Sequence, residues 1–262
     1  MNKKLVIFDV DGTIVSEDHR VPDSAVRAIR QIRENGNYAI YYTGRPYSHV
    51  EKSVSDIGFD GCVCTMGAYV RIGDQVLKNQ IPDPKVTHEI VQLVRSCHLD
   101  AAYESSAGIQ FDHTTELPAF LRKLKAHFAG RGFETEQDID AEDFSFEKVC
   151  VWTNDNSDLA AFEKEATNYL DIIGKKQNME ELVAKGVSIP DSLKLIQNYF
   201  HVTKENCYAI GDSVNDLPML RCAARSIAMG QAPEELKRQV DFVTKPIMED
   251  GLAYAMRQYE LI

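Results

Sequence analysis

The feature that most constrains this chain is the run "KLVIFDVDGT", in which an unbroken apolar segment ends on Asp9 and Asp11. Four consecutive apolar residues without alternation predict a strand that is buried on both faces, as in a parallel sheet covered by helices. Gly12 follows and predicts a sharp turn. The two carboxylates would then lie at the carboxyl end of a buried strand, where open α/β sheets bind their ligands.

The first eighty residues alternate between strand and helix patterns. Apolar residues at helical spacing predict helices over 24–35 and 46–58, and apolar runs predict strands over 37–43 and 60–65. The segment 68–79 reads as a hairpin that turns at "GD". This order predicts an α/β fold with a Rossmann-like parallel sheet covered by helices on both faces.

The pattern changes at "IPDPK", where two prolines in three positions indicate a boundary. Half-buried strand patterns and amphipathic helices then follow one another up to about residue 184, which is typical of an α+β domain. After Gly186 the first rhythm returns. We predict a Rossmann-like core formed by 1–81 and 185–262, interrupted by an inserted α+β cap domain over 82–184.

Composition limits the partners. The net charge of −11 leaves no basic surplus to neutralise a nucleic-acid backbone, although one local site can still bind a small anion. The apolar run near the start is too short for a signal peptide or a membrane span, so we expect a cytoplasmic protein with no membrane partner. No pattern in the sequence indicates an oligomeric state.

Acidic residues also follow a later strand, in "YAIGDSVNDLPML". Taken alone, Asp216 reads equally well as a helix N-cap and Asp212 as a turn residue. If the strands are parallel, however, Asp9, Asp11, Asp212 and Asp216 meet at one edge of the sheet. Clustered carboxylates repel each other unless a cation joins them, and Mg²⁺ prefers such oxygen ligands together with substrate phosphate.

The strand ending in "YYTGRP" adds groups that suit a phosphate. Thr43 offers a hydroxyl donor, and Gly44 allows close approach of a backbone N–H. Arg45 would either reach the phosphate or pair with an acid. Each of these residues is equally compatible with an ordinary turn, so only their position in the order of strands supports a phosphate-binding role.

The motifs "DVDGT", "TGR" and "GDSVND", in this order and at strand ends, resemble the haloacid dehalogenase-like superfamily of phosphotransferases. The inserted domain, "DGCVCTMGAYV" in the hairpin and "GDSVNDLPML" near the end resemble its Cof-like phosphatase branch. This resemblance implies a magnesium-dependent phosphatase acting on small phosphorylated metabolites, such as sugar phosphates or phosphorylated cofactors.

The resemblance also implies roles for the site residues. Asp9 would be the nucleophile that forms an aspartyl-phosphate, and Asp11 the general acid and base. The implied magnesium ligands are Asp9, the backbone carbonyl of Asp11 and Asp212, with Asp216 as a further ligand or a supporting group. The residues implied to hold the substrate are Thr43, Gly44, Arg45 and Asn215.

Two positions depart from the family pattern. Ile189 in "AKGVSIPDS" stands where a lysine that steadies the nucleophile and phosphate is expected. Lys185, four residues earlier, would substitute for it or remain a solvated surface charge. Met66 stands where an asparagine is common. The missing lysine leaves open a non-catalytic or weakly active phospho-ligand binder, and a phosphomutase is a further alternative.

Overall fold

The structure, a computed structural model, describes residues 3–262. In chain order the strands of this range are β1 (Leu5–Asp9), β2 (Tyr38–Tyr42), β3 (Gly61–Cys64), β4 (Tyr69–Ile72), β5 (Gln75–Asn79), β6 (Asp100–Glu104), β7 (Ile109–Phe111), β8 (Lys148–Trp152), β9 (Leu170–Lys176), β10 (Met179–Ala184), β11 (Cys207–Gly211), β12 (Arg225–Ala228) and β13 (Phe242–Val243). The helices are α1 (Asp23–Glu34), α2 (Lys52–Ser55), α3 (Pro84–Ser96), α4 (Ala119–Gly130), α5 (Leu159–Ala166), α6 (Ile189–Tyr199), α7 (Leu217–Leu220), α8 (Glu234–Lys237) and α9 (Gly251–Gln258). Among these helices none combines the length and the apolar character that crossing a bilayer requires.

The chain divides into two compact units. The first unit consists of the residues up to Gly44 together with Val50–Lys78 and Ser188–Ile262. The second unit consists of Asn79–Val187 and also takes in the short segment Arg45–His49. The second unit therefore includes five residues that directly follow the "TG" of the "TGR" motif.

The first unit is built on an eight-stranded sheet in the order β13-β12-β11-β1-β2-β3-β4-β5. All neighbours from β13 to β3 pair in parallel, and β4 turns back antiparallel to β3. The predicted hairpin is present, since β4 and β5 flank the turn at Gly73. The order places β1 between β11 and β2, so the carboxyl ends of these three strands lie side by side.

Helices cover both faces of this sheet, as predicted. Residues Leu5 to Phe8 of β1 are all fully buried, although successive strand side chains point to opposite faces. On one face, α6 and α7 supply Leu193 and Met219 to an apolar cluster that contains Ile7. Helix α1 packs against α9 and β2. The α/β fold class is thus confirmed.

The prediction of one continuous helix over 46–58 is wrong. The segment instead forms a short 3₁₀ turn over Tyr47–His49 and the single-turn helix α2, separated by the extended backbone of Glu51. The cause lies in the second unit, where the Ser48 hydroxyl donates to the Ser105 carbonyl at 2.5 Å and the His49 ring stacks on Phe128. These long-range contacts override the local helical pattern.

The second unit is an α+β module, as predicted. Its five strands pair antiparallel in the order β7-β6-β8-β10-β9. Helices α3 and α5 pack together over an apolar cluster that includes Tyr103, Phe146 and Phe162. Helix α4 packs on β7 above a smaller cluster.

The second unit also holds a buried ionic cluster. The Lys148 ammonium lies 2.9 Å from a Glu104 carboxylate oxygen and 3.2 Å from one of Glu181. Burial lowers the pKa of Lys148, but the Glu104 carboxylate more than offsets this and raises the pKa above its usual range. His49 Nδ1 lies 3.9 Å from Glu104, and burial lowers the pKa of His49 to about 4. The cluster therefore favours a charged lysine beside a neutral histidine.

Candidate active site

Three carboxylates meet at the carboxyl edge of the first unit's sheet. Asp9 is the last residue of β1, Asp212 follows β11 directly, and Asp216 ends the 3₁₀ turn before α7. One oxygen from each of the three carboxylates lies within 4.8 Å of the others. The parallel pairing of β1 with β11 produces this convergence, because parallel neighbours end at the same edge.

The cluster carries more negative charge than its surroundings compensate. Asp9 is only 7% exposed, and within residues 3–262 its Oδ2 atom accepts no hydrogen bond. Burial raises the pKa of Asp9 well above its usual range, and the charges of Asp216 and Asp212 raise it further. Burial, followed by the charges of Asp216 and Asp11, raises the pKa of Asp212 to about 7. A divalent cation would remove this repulsion.

Asp216 has two roles in the structure. Its Oδ2 atom accepts hydrogen bonds from the N–H groups of Asp212 and Ser213, both at 2.9 Å, and it forms a capping box with Ser213. A Cβ at Gly211 would lie 2.6 Å from that oxygen, so the close approach requires glycine. Ser213 is the N-cap of this capping box and Asp216 its third residue, so the Asp216 side chain does not cap α7 as an N-cap would. The same side chain belongs to the acidic cluster.

Asp11 lies two residues beyond β1, and its side chain is exposed. It is outside the close group of three, but its charge raises the pKa values of Asp212 and Asp216, which places it in electrostatic range of both. Gly12 turns the chain with a φ of +86°, and a Cβ there would collide with the Asp212 carboxylate. The glycine after the two acids thus serves both the turn and the packing.

The end of β2 lies on the other side of β1. Thr43 is buried, its N–H donates to the Val63 carbonyl at 2.9 Å, and its carbonyl accepts from the Met66 N–H at 3.4 Å. Gly44 follows and is half-buried. Asn215 lies in the turn before α7 with an exposed side chain. The predicted phosphate-binding turn is therefore held by backbone hydrogen bonds to β3 and to the turn between β3 and β4.

Arg45 and Lys185 belong to the second unit. The positive charge of Arg45 contributes to the lowered pKa of His49. The ammonium of Lys185 donates to the Thr167 carbonyl at 2.7 Å, and the side chain is exposed. Its substitution for the missing lysine stays a prediction.

Ile189, at the position of that lysine, begins α6 and is 7% exposed within the apolar cluster of the first unit. Tyr42 belongs to the same cluster, and the sequence pattern did not point to it. Tyr42 pairs with Asp9 in the register of β1 and β2. The available signal was that both residues end their strands, which aligns them across a parallel pair.

A family model described as haloacid dehalogenase-like hydrolase matches residues 6–256. The chain therefore belongs to the haloacid dehalogenase-like hydrolases, which confirms the resemblance carried by "DVDGT", "TGR" and "GDSVND". It also confirms the predicted enzyme class, a phosphoric monoester hydrolase of this type.

Relatives and solved structures extend the likeness over the whole chain. The putative phosphatase YkrA of Bacillus subtilis is 27% identical over 100% of both chains. The 5-amino-6-(5-phospho-D-ribitylamino)uracil phosphatase YcsE of the same organism is 24% identical over 98% of this chain and 96% of its own. The structure of the subclass IIB sugar phosphatase BT4131 covers 99% of this chain and 100% of its own, with 25% identity and a TM-score of 0.77. A Geobacillus kaustophilus protein of 23% identity covers 100% of both chains with a TM-score of 0.85, which shows the same fold.

Proposed function

We propose that this protein is a magnesium-dependent phosphatase that hydrolyses small phosphate monoesters through an aspartyl-phosphate on Asp9. The observation that carries the proposal is the Asp9 Oδ2 atom. It is buried, accepts no hydrogen bond within residues 3–262, and belongs to a carboxylate that lies close to two others. A buried carboxylate oxygen without a donor is costly unless it serves a cation or a reaction.

The residues present fit a divalent cation. The three carboxylates within 4.8 Å of one another offer the oxygen ligands that Mg²⁺ prefers, and the raised pKa of Asp212 reflects a negative charge that a cation would stabilise. Asp9, Asp212 and the backbone carbonyl of Asp11 would hold the ion, with Asp216 as a further or supporting group. Bound there, magnesium would neutralise charge on the phosphate oxygens.

The chemistry follows from the placement of two carboxylates. An oxygen of Asp9 attacks phosphorus, the bond between phosphorus and the ester oxygen breaks, and Asp11 donates a proton to the departing alcohol. Asp11 then accepts a proton from water, the water oxygen attacks phosphorus, and inorganic phosphate leaves with Asp9 regenerated. The Thr43 hydroxyl and the Gly44 N–H would hold the transferring group.

The substrate class is proposed from the relatives. Their names specify a phosphoribitylamino-uracil, a sugar phosphate and HMP-PP, and these relatives match nearly the full length of the chain. The shared chemistry is a small polar molecule that carries a phosphate group. We place the substrate of this protein in that class, and its own acidic charge is consistent with exclusion of nucleic acids.

The test uses p-nitrophenyl phosphate with and without magnesium. We expect turnover with Mg²⁺ that chelator abolishes and added Mg²⁺ restores. Asp9→Asn should abolish turnover while circular dichroism shows an intact fold, and the exposed Asp56→Asn should behave as the unmodified protein. Full activity in excess chelator would contradict the metal site.

The covalent step needs its own measurement. After rapid mixing with a ³²P-labelled ester and acid quenching, label should remain on the protein and be released by hydroxylamine, as expected for an acyl phosphate. Asp9→Asn should carry no label. Phosphate binding without any turnover in the unmodified protein would favour the non-catalytic alternative.

A further inference from the structure

The register of β1 and β2 brings Tyr42 to the side of Asp9. Cα partners run from Leu5 with Tyr38 to Asp9 with Tyr42, and paired residues of parallel strands point to the same face. Accordingly, Ile7, Ile40 and Tyr42 share one apolar cluster. Tyr42 is 2% exposed, so its phenol is buried at the sheet edge that carries the acidic site.

The Tyr42 hydroxyl has a specific partner. It lies 3.2 Å from the Sδ atom of Met66, to which it donates. The same sulfur atom lies 3.3 Å from the position that a Cβ would take on Gly44. Met66 therefore contacts Tyr42 and lies beside Gly44, the residues on either side of Thr43.

The backbone of Met66 completes the contact. Its N–H donates to the Thr43 carbonyl at 3.4 Å. Both Thr65 and Met66 adopt a positive φ, of 51° and 54°, which residues with side chains rarely do. Strain of this kind persists where the surroundings hold it, and it concentrates at functional sites. Met66, in the 3₁₀ turn between β3 and β4, thus contacts Tyr42 and Thr43 and lies beside Gly44.

We propose that Tyr42 and Met66 form a clamp that positions the Thr43–Gly44 turn for the transferring phosphoryl group. The Tyr42 hydroxyl donates a hydrogen bond to the Met66 sulfur, and this sulfur lies beside Gly44. The Met66 N–H donates to the Thr43 carbonyl. These are positioning residues, and the inference rests on the proposed phosphatase function. The clamp has added importance here because Ile189 supplies no ammonium to steady the phosphate.

Conservative variants test the clamp. Tyr42→Phe removes only the hydroxyl, and Met66→Leu removes the sulfur with little change in volume. Each should lower kcat/KM for p-nitrophenyl phosphate about tenfold, the upper range for one neutral hydrogen bond, and raise the Kd of inorganic phosphate in magnesium. The double variant should lose no more than either single variant, since both break the same contact.

Tyr41→Phe is the matched control. Tyr41 precedes Tyr42 in β2, is also buried, and packs edge-to-face on Phe59 on the opposite side of the sheet. We expect it to leave kcat/KM and phosphate binding unchanged. A purely structural role for Tyr42 would lower the melting temperature and leave the phosphate Kd unaltered below that temperature.

A readout without turnover separates the clamp from the function. In protein labelled with [methyl-¹³C]methionine, the signal absent from Met66→Leu identifies Met66. We expect phosphate with Mg²⁺ to shift it, and Tyr42→Phe to weaken that response. If the unmodified protein turns over ester while Tyr42→Phe keeps its phosphate Kd and the Met66 response, the clamp is overturned and the phosphatase stands. If the unmodified protein neither turns over ester nor binds phosphate, both proposals fail.

Discussion

Replacement of Asp212 by asparagine should stabilise the metal-free protein while removing its activity. The Asp212 carboxylate lies close to those of Asp9 and Asp216. Burial, followed by the charges of Asp216 and Asp11, raises its pKa from the usual 3.8 to about 7. At pH 8 the group is ionised in both the folded and the unfolded chain. The charged Asp212 carboxylate then destabilises the folded chain, and asparagine removes this charge.

The magnitude follows from the pKa. A pKa difference of one unit corresponds to about 1.4 kcal/mol, so the full shift would correspond to about 4 kcal/mol. Because Asp212 is partly exposed, solvent screening reduces this, and we expect about 2 kcal/mol. The sign is fixed: a carboxyl whose folded pKa is raised stabilises the fold below pH 4, and this contribution is lost as the pH rises from 4 to 7.

The assay is urea unfolding, followed by circular dichroism, in chelator at pH 5 and pH 8. We expect Asp212→Asn to raise the free energy of unfolding at pH 8 by about 2 kcal/mol and to change it less at pH 5, where the native carboxyl is largely protonated. Added Mg²⁺ should stabilise the native sequence at pH 8 and stabilise the variant less. The exposed Asp56→Asn serves as the control for loss of one charge.

The reasoning would be refuted by a variant that is less stable than the native sequence at pH 8 without metal. It would also be refuted if the difference between the two proteins did not change between pH 5 and pH 8. In either case the carboxylates would not repel each other as their positions imply.

Three further predictions concern the second unit. A buried histidine with a pKa of about 4 stabilises the fold only while neutral, so the native protein should lose up to about 3 kcal/mol of its free energy of unfolding as the pH falls from 6.5 to 4. His49→Phe should remove this loss, which urea titrations across this range would measure. Glu104→Gln should lower the free energy of unfolding by about 3–5 kcal/mol, since Lys148 stays buried after losing its nearest carboxylate, and Glu104→Gln with Lys148→Met should recover part of the loss in chemical denaturation. If Lys185 substitutes for the missing lysine as proposed, Lys185→Ala should lower kcat about a hundredfold at saturating magnesium, whereas an unchanged kcat would remove it from the site.

The strand ends explain why so much of the candidate site was predictable. Apolar runs that stop at Asp9, Thr43 and Asp212 each indicate a buried strand followed by a polar turn. Once β1 lies between two parallel neighbours, the convergence of these ends follows from geometry alone. The hairpin at Gly73 was equally predictable from local sequence, because the turn residues lie between two short strand patterns.

The segment after "TGR" was not predictable in this way. Its spacing of apolar residues favours a helix, but Ser48 and His49 are held by Ser105 and Phe128, which are distant in sequence. A local pattern carries no information about such partners. The same limit applies to Asp216, whose side chain reads as an N-cap until the position of Asp9 is known.

The two departures from the family pattern, Met66 and Ile189, are related in the structure. Asparagine, which is common at position 66, adopts a positive φ more readily than methionine, so Met66 adopts its φ at a higher conformational energy. What it gains is the sulfur contact with the Tyr42 hydroxyl. Ile189 belongs to the apolar cluster that contains Tyr42 and against which Met66 packs, and a Cβ on Gly67 would lie 3.2 Å from the Ile189 backbone nitrogen. Two changes that lie far apart in the chain thus both add apolar surface to the cluster that contains Tyr42, because the fold brings β2, the turn between β3 and β4, and the start of α6 together.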